Sequence, residues 1–479
     1  MVIYAALSAG LYPLIFLYKS NHTLIASWNQ FFFLILIFIG IPVFLFFTFS
    51  VLARRVSVFE NYRLQILTFL NLSFFSGLLI YSAYGLKKKM LLLVFVIAFA
   101  LSFILFKYIR KVIKFQFLLA IVGLIFLVPT ILKYSAYNSE WLKQADQIES
   151  VKFKSTPNIY VIQPDGYIGL SEIGRGNYKK DNEAFNTFLL NNDFKLYPNY
   201  RSNYYSTLSS NSSMFAMKHH YYNRTADVNS ELLLARDVII SENPVLSILK
   251  NNDYSTSLIL ENSYLLTSRP KMGYDFSNIA YNDLAVVSSG FEFRKEVLKD
   301  LKSEIRNNKE GNHFYFIEKI IPGHIATLKS STEGKDLERK KYLKRLDEAN
   351  TWLIQTVNLI NTNDTNALII IVSDHGGFVG YDYSGQSHEK PKNRDNTFSM
   401  FSSLLAIKWS GIPNEYDENL KSGVNLFRTV FSVLSEDKSL LKSFQKDASY
   451  LTVNEGAALG IYKVIDENNN AVFKEIALD

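Results

Sequence analysis

The sequence contains no cysteine among its 479 residues. This absence excludes a thiol nucleophile and thiolate metal ligands, so reactive groups have to be sought among hydroxyl, carboxylate and imidazole side chains. It does not exclude an extracytoplasmic location, because a domain of this length can bury enough apolar surface to be stable without disulfides.

Acidic residues are almost missing from the first third of the chain. Residues 1–139 contain one, Glu60, against twelve Lys and Arg, which leaves 39 basic and 43 acidic residues in 140–479. The overall net charge of +7 therefore comes from the first third. Its basic residues lie in short clusters between apolar runs and not along one polar face, so no nucleic-acid partner is expected.

The apolar runs have the length of membrane spans. Four runs without a charge cover residues 29–52, 64–86, 90–106 and 115–132, and a shorter run opens the chain. This first run has no basic segment before it and is followed by Asn21 and His22, so it predicts a retained helix and not a cleaved signal peptide. We predict a transmembrane helical bundle of about five helices over 1–135, followed by a connector over 136–156.

Basic clusters predict the orientation of these helices. The clusters within 54–63 and 107–114 are expected to be cytoplasmic by the positive-inside rule, whereas Lys87–Lys89 would lie on the opposite side, against that rule. The resulting prediction is a multi-pass protein of the cytoplasmic (inner) membrane. Its part after Tyr134 would be extracytoplasmic, or periplasmic.

Residues 157–479 have the pattern of an α/β domain. Short apolar runs occur at 158–163, 256–260, 313–318, 367–373 and 403–409, and residues 337–360 have helical spacing. Nearly continuous Val, Ile and Leu strands separated by helices predict a mostly parallel central sheet that is covered on both faces. Catalytic groups are expected where these strands end.

Two of the predicted strands end in candidate ligands. The first runs into Asp165 and Gly166, and the run at 367–373 is followed by Asp374, His375 and two glycines. A carboxylate and an imidazole side by side are plausible ligands for Zn²⁺ or Mn²⁺. An ordinary turn explains an Asp-Gly pair after a strand equally well.

The order of three segments resembles the alkaline phosphatase and sulfatase superfamily. They are PNIYVIQPDGY, then STLSSNSSMF within the serine-rich stretch 202–215, then IIIVSDHGG. Within the superfamily the chain is most similar to membrane-anchored phosphoethanolamine or phosphoglycerol transferases (lipoteichoic acid synthase-like) and to sulfatase-like proteins of surface-polysaccharide loci. The resemblance covers roughly residues 155–450. It implies an alkaline phosphatase-like domain, with Thr207 as nucleophile and with Asp165, Thr207, Asp374 and His375 holding one divalent ion.

The resemblance also implies residues that bind the transferred group. Relatives carry a histidine after a proline near this position, and here Gly323 intervenes, so that His324 follows Pro322 by two places. His388 lies where some relatives place another histidine, and Arg394 would neutralise phosphate charge. Both can equally be solvated loop residues.

The reaction implied is transfer and not sulfate-ester hydrolysis. No cysteine or serine stands in the C/S-x-P-x-R context that sulfatases convert to an aldehyde. A threonine with a metal suits a covalent phospho-threonine intermediate. The membrane helices favour a phospholipid as donor and a cell-surface glycan or lipid as acceptor. A metal-dependent phosphodiesterase, phosphatase or sulfatase-like hydrolase of the same superfamily is one alternative, and a non-enzymatic assembly or receptor protein is another.

Overall fold

The structure is a computed structural model that describes residues 1–221, 232–308, 310–412 and 415–476. The chain divides into two compact units. One comprises residues 1–137 with 285–288, and the other comprises residues 138–284 with 289–479.

The first unit is helical. Its α-helices are α1 (Val2–Ser20), α2 (Trp28–Ile35), α3 (Ile41–Leu52), α4 (Ser57–Asn61), α5 (Arg63–Tyr84), α6 (Lys88–Leu105) and α7 (Ile109–Ser135). A π-helical turn joins α2 to α3, and a 3₁₀ turn joins α6 to α7. Among the described residues, four stretches are long and apolar enough to cross a membrane: Val2–Ser20, Trp28–Leu52, Arg63–Tyr84 and Lys88–Leu142. The fourth and fifth predicted spans, 90–106 and 115–132, both lie within Lys88–Leu142.

Many large apolar side chains of this unit point outward, as in a helix bundle that faces lipid. Phe44 and Leu92 are each 67% exposed, and Phe47 is 59% exposed. In water such an apolar surface would be unusually large, whereas hydrocarbon accepts it without cost. The helices therefore have both the length and the surface of membrane-spanning segments.

The second unit is built on a seven-stranded sheet. Its strands are β1 (Ile159–Pro164), β2 (Lys195–Leu196), β3 (Tyr254–Leu260), β4 (Phe276–Ser277), β5 (Asn312–Lys319), β6 (Leu368–Val372) and β7 (Leu405–Lys408), in the order β2-β7-β6-β1-β5-β3-β4. The strands β6, β1, β5, β3 and β4 run parallel to one another, and β7 is antiparallel to both β6 and β2. The predicted fold class, apolar helices followed by an α/β domain with a mostly parallel sheet, is confirmed.

Helices cover the sheet on both faces. They are α8 (Leu170–Ile173), α9 (Glu183–Asn191), α10 (Thr207–Ala216), α11 (Ala235–Ile240), α12 (Pro244–Asn251), α13 (Val297–Asn307), α14 (Lys335–Asn363), α15 (Arg394–Phe401) and α16 (Leu426–Ser435). Alternate strand residues enter two separate cores, because successive side chains of a strand point to opposite faces. Val161 packs in one core with residues of α10, α12 and α16, and Ile162 packs in the other with residues of α9, α13 and α14.

A second sheet, which the sequence analysis did not predict, follows α16. It is antiparallel and contains β8 (Ser449–Val453), β9 (Gly460–Ile465) and β10 (Ala471–Glu475), in the order β10-β9-β8. Leu451 and Val464 of this sheet belong to the same core as α14.

Candidate metal centre and active site

The two predicted ligand segments meet because β1 and β6 are parallel neighbours. Ile162 of β1 pairs with Ile371 of β6, so both strands end at the same edge of the sheet. Beyond β1 the chain turns sharply at Gly166, whose φ is +67°. A Cβ at this position would overlap the carbonyl oxygen of Gly323, so glycine is required there. The turn brings Asp165 opposite the segment that follows β6.

Asp165, Asp374 and His375 form a compact cluster. One potential ligand atom from each residue lies within 4.8 Å of the other two, and all three side chains are buried. His375 Nδ1 lies 2.8 Å from the carbonyl oxygen of Gly376, which can only accept a hydrogen bond. This contact assigns the proton to Nδ1 and leaves the lone pair of Nε2 directed at the cluster.

Asp374 has one carboxylate oxygen that accepts hydrogen bonds and one that accepts none from the described residues. Its Oδ1 accepts hydrogen bonds from the backbone N–H groups of Gly166, at 3.1 Å, and His375, at 3.0 Å. Its Oδ2 is buried and accepts no hydrogen bond among the described residues; it lies 3.4 Å from His375 Nε2. A buried carboxylate oxygen without a donor is costly, and a cation is the ligand that would compensate for it.

These residues fit a divalent metal ion. Two carboxylates, one imidazole nitrogen and the adjacent hydroxyl of Thr207 are an oxygen and nitrogen donor set that suits Zn²⁺ or Mn²⁺. The free Oδ2 of Asp374 and the Nε2 lone pair of His375 both lie inside this set. The residues can therefore hold one ion.

Thr207 is the first residue of α10. Its Oγ1 donates a hydrogen bond to Asp165 Oδ2 at 3.1 Å and lies 3.4 Å from His375 Nε2. The first N–H groups of a helix have no acceptor within the helix, so an anion near this hydroxyl would meet both their free hydrogens and the positive end of the helix dipole. The hydroxyl of Thr207 and the start of α10 thus lie directly beside the cluster.

The electrostatics of the cluster favour a bound cation. Burial and the neighbouring Asp374 raise the pKa of Asp165 to about 7. Burial alone would lower the pKa of His375, but the carboxylates of Asp374 and Asp165 raise it above its ordinary value. Burial, with Asp165 and Asp374 nearby, also raises the pKa of Glu318 well above its usual range. This concentration of buried carboxyl groups is stabilised when positive charge enters it.

A cavity of about 520 Å³ opens onto the cluster. His324 and His388, both predicted to bind the transferred group, line it. The ring of His324 lies 6.1 Å from that of His375, and burial lowers the pKa of His324 to about 4, so it is a neutral imidazole at neutral pH. The ring of His388 packs edge-on against Tyr205 at 5.7 Å.

Arg394, the third residue predicted to bind phosphate, is not brought to this cavity. Its guanidinium donates two hydrogen bonds to the carboxylate of Glu172, at 2.7 and 3.0 Å, and lies over the ring of Phe398. Arg394 is not among the residues that line the cavity. Its charge is already compensated, so the geometry gives no support to a role in phosphate binding.

Sequence reasoning missed several residues of the cavity wall. Arg345 of α14 lines it, and so do Tyr264 and Phe291, whose rings stack with centroids 5.3 Å apart. Ser206 also lines the cavity, but its hydroxyl bonds to Ser209 Oγ at 3.1 Å and not to the cluster. Arg345 lies in a helix with many charged residues and follows no motif, so the sequence carries no signal that singles it out.

No protein-family model matches the chain, and no curated protein matches it. Several solved structures are similar to it. One is the C-terminal periplasmic domain of EcEptC from Escherichia coli in complex with Zn, with 13% identity over 66% of this chain and 93% of that chain and a TM-score of 0.42. Another is the integral membrane protein lipooligosaccharide phosphoethanolamine transferase A (EptA) from Neisseria meningitidis, with 13% identity, coverages of 91% and 95%, and a TM-score of 0.41.

A third is the C-terminal periplasmic domain of the phosphoethanolamine transferase EptC from Campylobacter jejuni, with 15% identity, coverages of 60% and 94%, and a TM-score of 0.38. Phosphoethanolamine transferases, the kind of protein that the motifs resemble, are thus among the solved structures to which the chain is similar. At these identities the likeness concerns the fold, and the chemistry depends on the residues of this chain.

Proposed function

We propose that the protein is a metal-dependent transferase that moves a phospholipid head group, phosphoethanolamine or phosphoglycerol, onto a cell-surface glycan or lipid. The observation that carries this proposal is the position of Thr207 Oγ1. It lies at the start of α10, bonded to Asp165 Oδ2 at 3.1 Å and 3.4 Å from His375 Nε2, and it lines the cavity. A hydroxyl held in this way is suited to attack phosphorus.

Asp165, Asp374, His375 and Thr207 would hold the ion, Zn²⁺ or Mn²⁺. Bound there, it would supply positive charge that favours loss of the threonine proton and offsets charge on the phosphoryl oxygens. The residues of the chain do the remaining work. Asp165 Oδ2 orients the hydroxyl and receives its proton, and the free N–H groups of the first turn of α10 face the phosphoryl oxygens.

The reaction then has two displacements at phosphorus. In the first, the bond between Thr207 Oγ1 and phosphorus forms, and the bond from phosphorus to the lipid alcohol breaks. Asp165 keeps the threonine proton, and the departing alkoxide takes up a proton from water. In the second, an acceptor hydroxyl attacks phosphorus and releases its proton to water, the bond to Oγ1 breaks, and Asp165 returns its proton to Thr207. Such in-line transfers need mainly positioning and compensated charge.

Trapping the covalent intermediate tests the proposal. The full chain in detergent, with Zn²⁺ or Mn²⁺, is incubated with a short-chain phospholipid, quenched in acid, and mapped by peptide mass spectrometry. We expect the head-group phosphate on Thr207 in the wild type and no adduct in Thr207→Ala. Ser206→Ala is the matched control, because Ser206 lines the same cavity but does not contact the cluster, and it should keep the adduct.

An adduct on Ser206, Ser209 or Ser210, or one that persists in Thr207→Ala, would show that the nucleophile has been assigned wrongly. The fate of the head group identifies the acceptor. Release to water without transfer would favour the hydrolase of the same superfamily.

A further inference from the structure

Arg345 is a cation in the cavity wall without an acidic partner. It belongs to α14 and lines the same cavity as Thr207 and His375. Within residues 1–221, 232–308, 310–412 and 415–476, no carboxylate forms an ion pair with its guanidinium. Its Nη2 donates one hydrogen bond, to the carbonyl oxygen of His324 at 2.7 Å, and its Nε is buried with no acceptor.

Two other arginines of this unit have carboxylate partners, whereas the buried Arg201 bonds to carbonyl oxygens of Asn469, Asp447 and Asp466. Arg428 pairs with Asp146, and Arg394 binds both oxygens of Glu172. A buried N–H of a charged group that lacks an acceptor costs roughly 1–3 kcal/mol, and more where the charge is not compensated. An unbonded, buried Nε also occurs in Arg201, Arg269 and Arg428, so what singles out Arg345 is that it lines the cavity with Thr207 and His375, where an anion can reach its guanidinium.

A phosphate group is the ligand that fits this donor. The guanidinium is planar, stays charged, and presents parallel N–H groups that match two phosphate oxygens. We propose that Arg345 binds the non-bridging oxygens of the substrate phosphodiester while Thr207 attacks its phosphorus. This inference rests on the proposed function and assigns to Arg345 the charge compensation that the sequence analysis expected of Arg394.

Gly323 keeps the space between Arg345 and the cluster open. A Cβ placed on Gly323 would lie 3.5 Å from Arg345 Nη1 and 3.9 Å from Asp165 Oδ1. The guanidinium and the metal-ligating carboxylate thus flank the same bare Cα. A phosphate bound to Arg345 would have its other oxygens directed at the ion and at the start of α10.

A purely structural role is the competing explanation, because Nη2 also holds the loop at His324. Binding of inorganic phosphate separates the two roles without requiring turnover. The full chain in detergent, with Zn²⁺, is titrated with inorganic phosphate by calorimetry. We expect Arg345→Gln to weaken binding at least about tenfold, which corresponds to about 1.4 kcal/mol. Arg345→Lys should have an intermediate phosphate affinity, because lysine keeps the positive charge but lacks the parallel N–H donors of the guanidinium.

Lys344→Gln is the matched control. It removes one positive charge from the neighbouring position of α14, where the Lys344 side chain is 81% exposed and does not line the cavity. Its phosphate affinity should stay within about twofold of the wild type, since exposed charges are screened. Equal phosphate affinity in Arg345→Gln and the wild type would overturn the inference.

Chemical protection of the wild type covers the case in which Arg345→Gln does not fold. Phenylglyoxal modifies accessible arginines, and saturating phosphate should slow modification of Arg345 severalfold. Arg339 of the same helix, which donates to backbone carbonyls of Asn177 and Tyr178 outside the cavity, should be unaffected. Equal modification of Arg345 with and without phosphate would contradict the inference.

The two proposals can fail separately. If no adduct forms on Thr207 but phosphate binding depends on Arg345, the anion site stands and the transferase proposal fails. If the adduct forms on Thr207 and Arg345→Gln binds phosphate as tightly as the wild type, the transferase proposal stands and the anion site at Arg345 fails.

Discussion

Asp374 and His375 are neighbours in the chain that offer different ligand atoms to one ion. Asp374→Asn replaces an anionic oxygen with a neutral amide, and His375→Ala removes the imidazole. We expect each variant to lower the Zn²⁺ or Mn²⁺ content after dialysis at least about tenfold, because a site with few ligands loses much of its affinity with each one. Elemental analysis of the purified full chain measures this.

The control for these variants is Asp347→Asn. This carboxylate is on α14, its side chain is 59% exposed, and it pairs with Lys180 at the surface. Its removal should leave the metal content unchanged. Wild-type metal content in both Asp374→Asn and His375→Ala would rule out the proposed centre.

For single residues, the sequence predicts which metal-ligand candidates lie close together, but it does not predict all the side chains that surround them. Asp165, Asp374 and His375 follow strands, and the ends of parallel strands converge, so their proximity follows from topology. Thr207 could be identified only through the family resemblance, since six serines surround it within residues 202–215. Arg345 could not be predicted, because its side chain reaches the cavity only through the packing of α14.

Among the elements, the long apolar strands were the predictable ones. The strands β1, β5 and β6 each contain a run of at least four apolar residues, as expected for a buried sheet. The strands β2 and β4 have two residues each, and they exist because a neighbouring strand pairs with them. In the C-terminal sheet, β10 is partly exposed and polar, so its pattern resembles that of a loop as much as that of a strand, whereas β8 and β9 are mostly buried.

The helices α1, α5 and α7 are joined by a buried polar network inside the apolar unit. Asn71 Nδ2 donates to the carbonyl oxygen of Ala5 and to Gln116 Oε1, both at 2.8 Å, and Gln116 Nε2 donates to Asn71 Oδ1 at 2.9 Å. Ser8 Oγ donates to Gln116 Oε1 at 2.7 Å. In hydrocarbon no water replaces these partners, so the network fixes which helix faces meet.

We expect Asn71→Ala to destabilise this unit by about 1 kcal/mol, because it leaves Gln116 with fewer partners inside the bundle. Thermal unfolding of the full chain in detergent would show a lower midpoint. Thr48→Ala is the control, since its hydroxyl bonds within its own helix, to the carbonyl oxygen of Phe44 at 2.9 Å. A midpoint as low in Thr48→Ala as in Asn71→Ala would mean that the network is not what stabilises the bundle.

For the whole molecule, charge separates the two units as clearly as hydropathy does. Residues 1–139 carry few charges, and nearly all of these are basic. Residues 140–479 carry slightly more acidic than basic residues. The basic loops follow the pattern of a membrane protein, and the unit that contains the cluster has the composition of a water-soluble domain. An enzyme that takes its donor from a lipid bilayer would need both a membrane-spanning unit and a water-soluble unit.

Topology gives the last prediction: residues 140–479 lie outside the cytoplasmic membrane. The basic clusters within 54–63 and 107–114 should be cytoplasmic, which places the chain after Tyr134 on the other side. An alkaline phosphatase reporter fused after residue 150 should be active, and one fused after Arg55 should be inactive. Lys87–Lys89 oppose this orientation, so a fusion there is the sharpest control and should also be active. Activity after Arg55 together with none after residue 150 would invert the topology and remove cell-surface acceptors from the reach of Thr207.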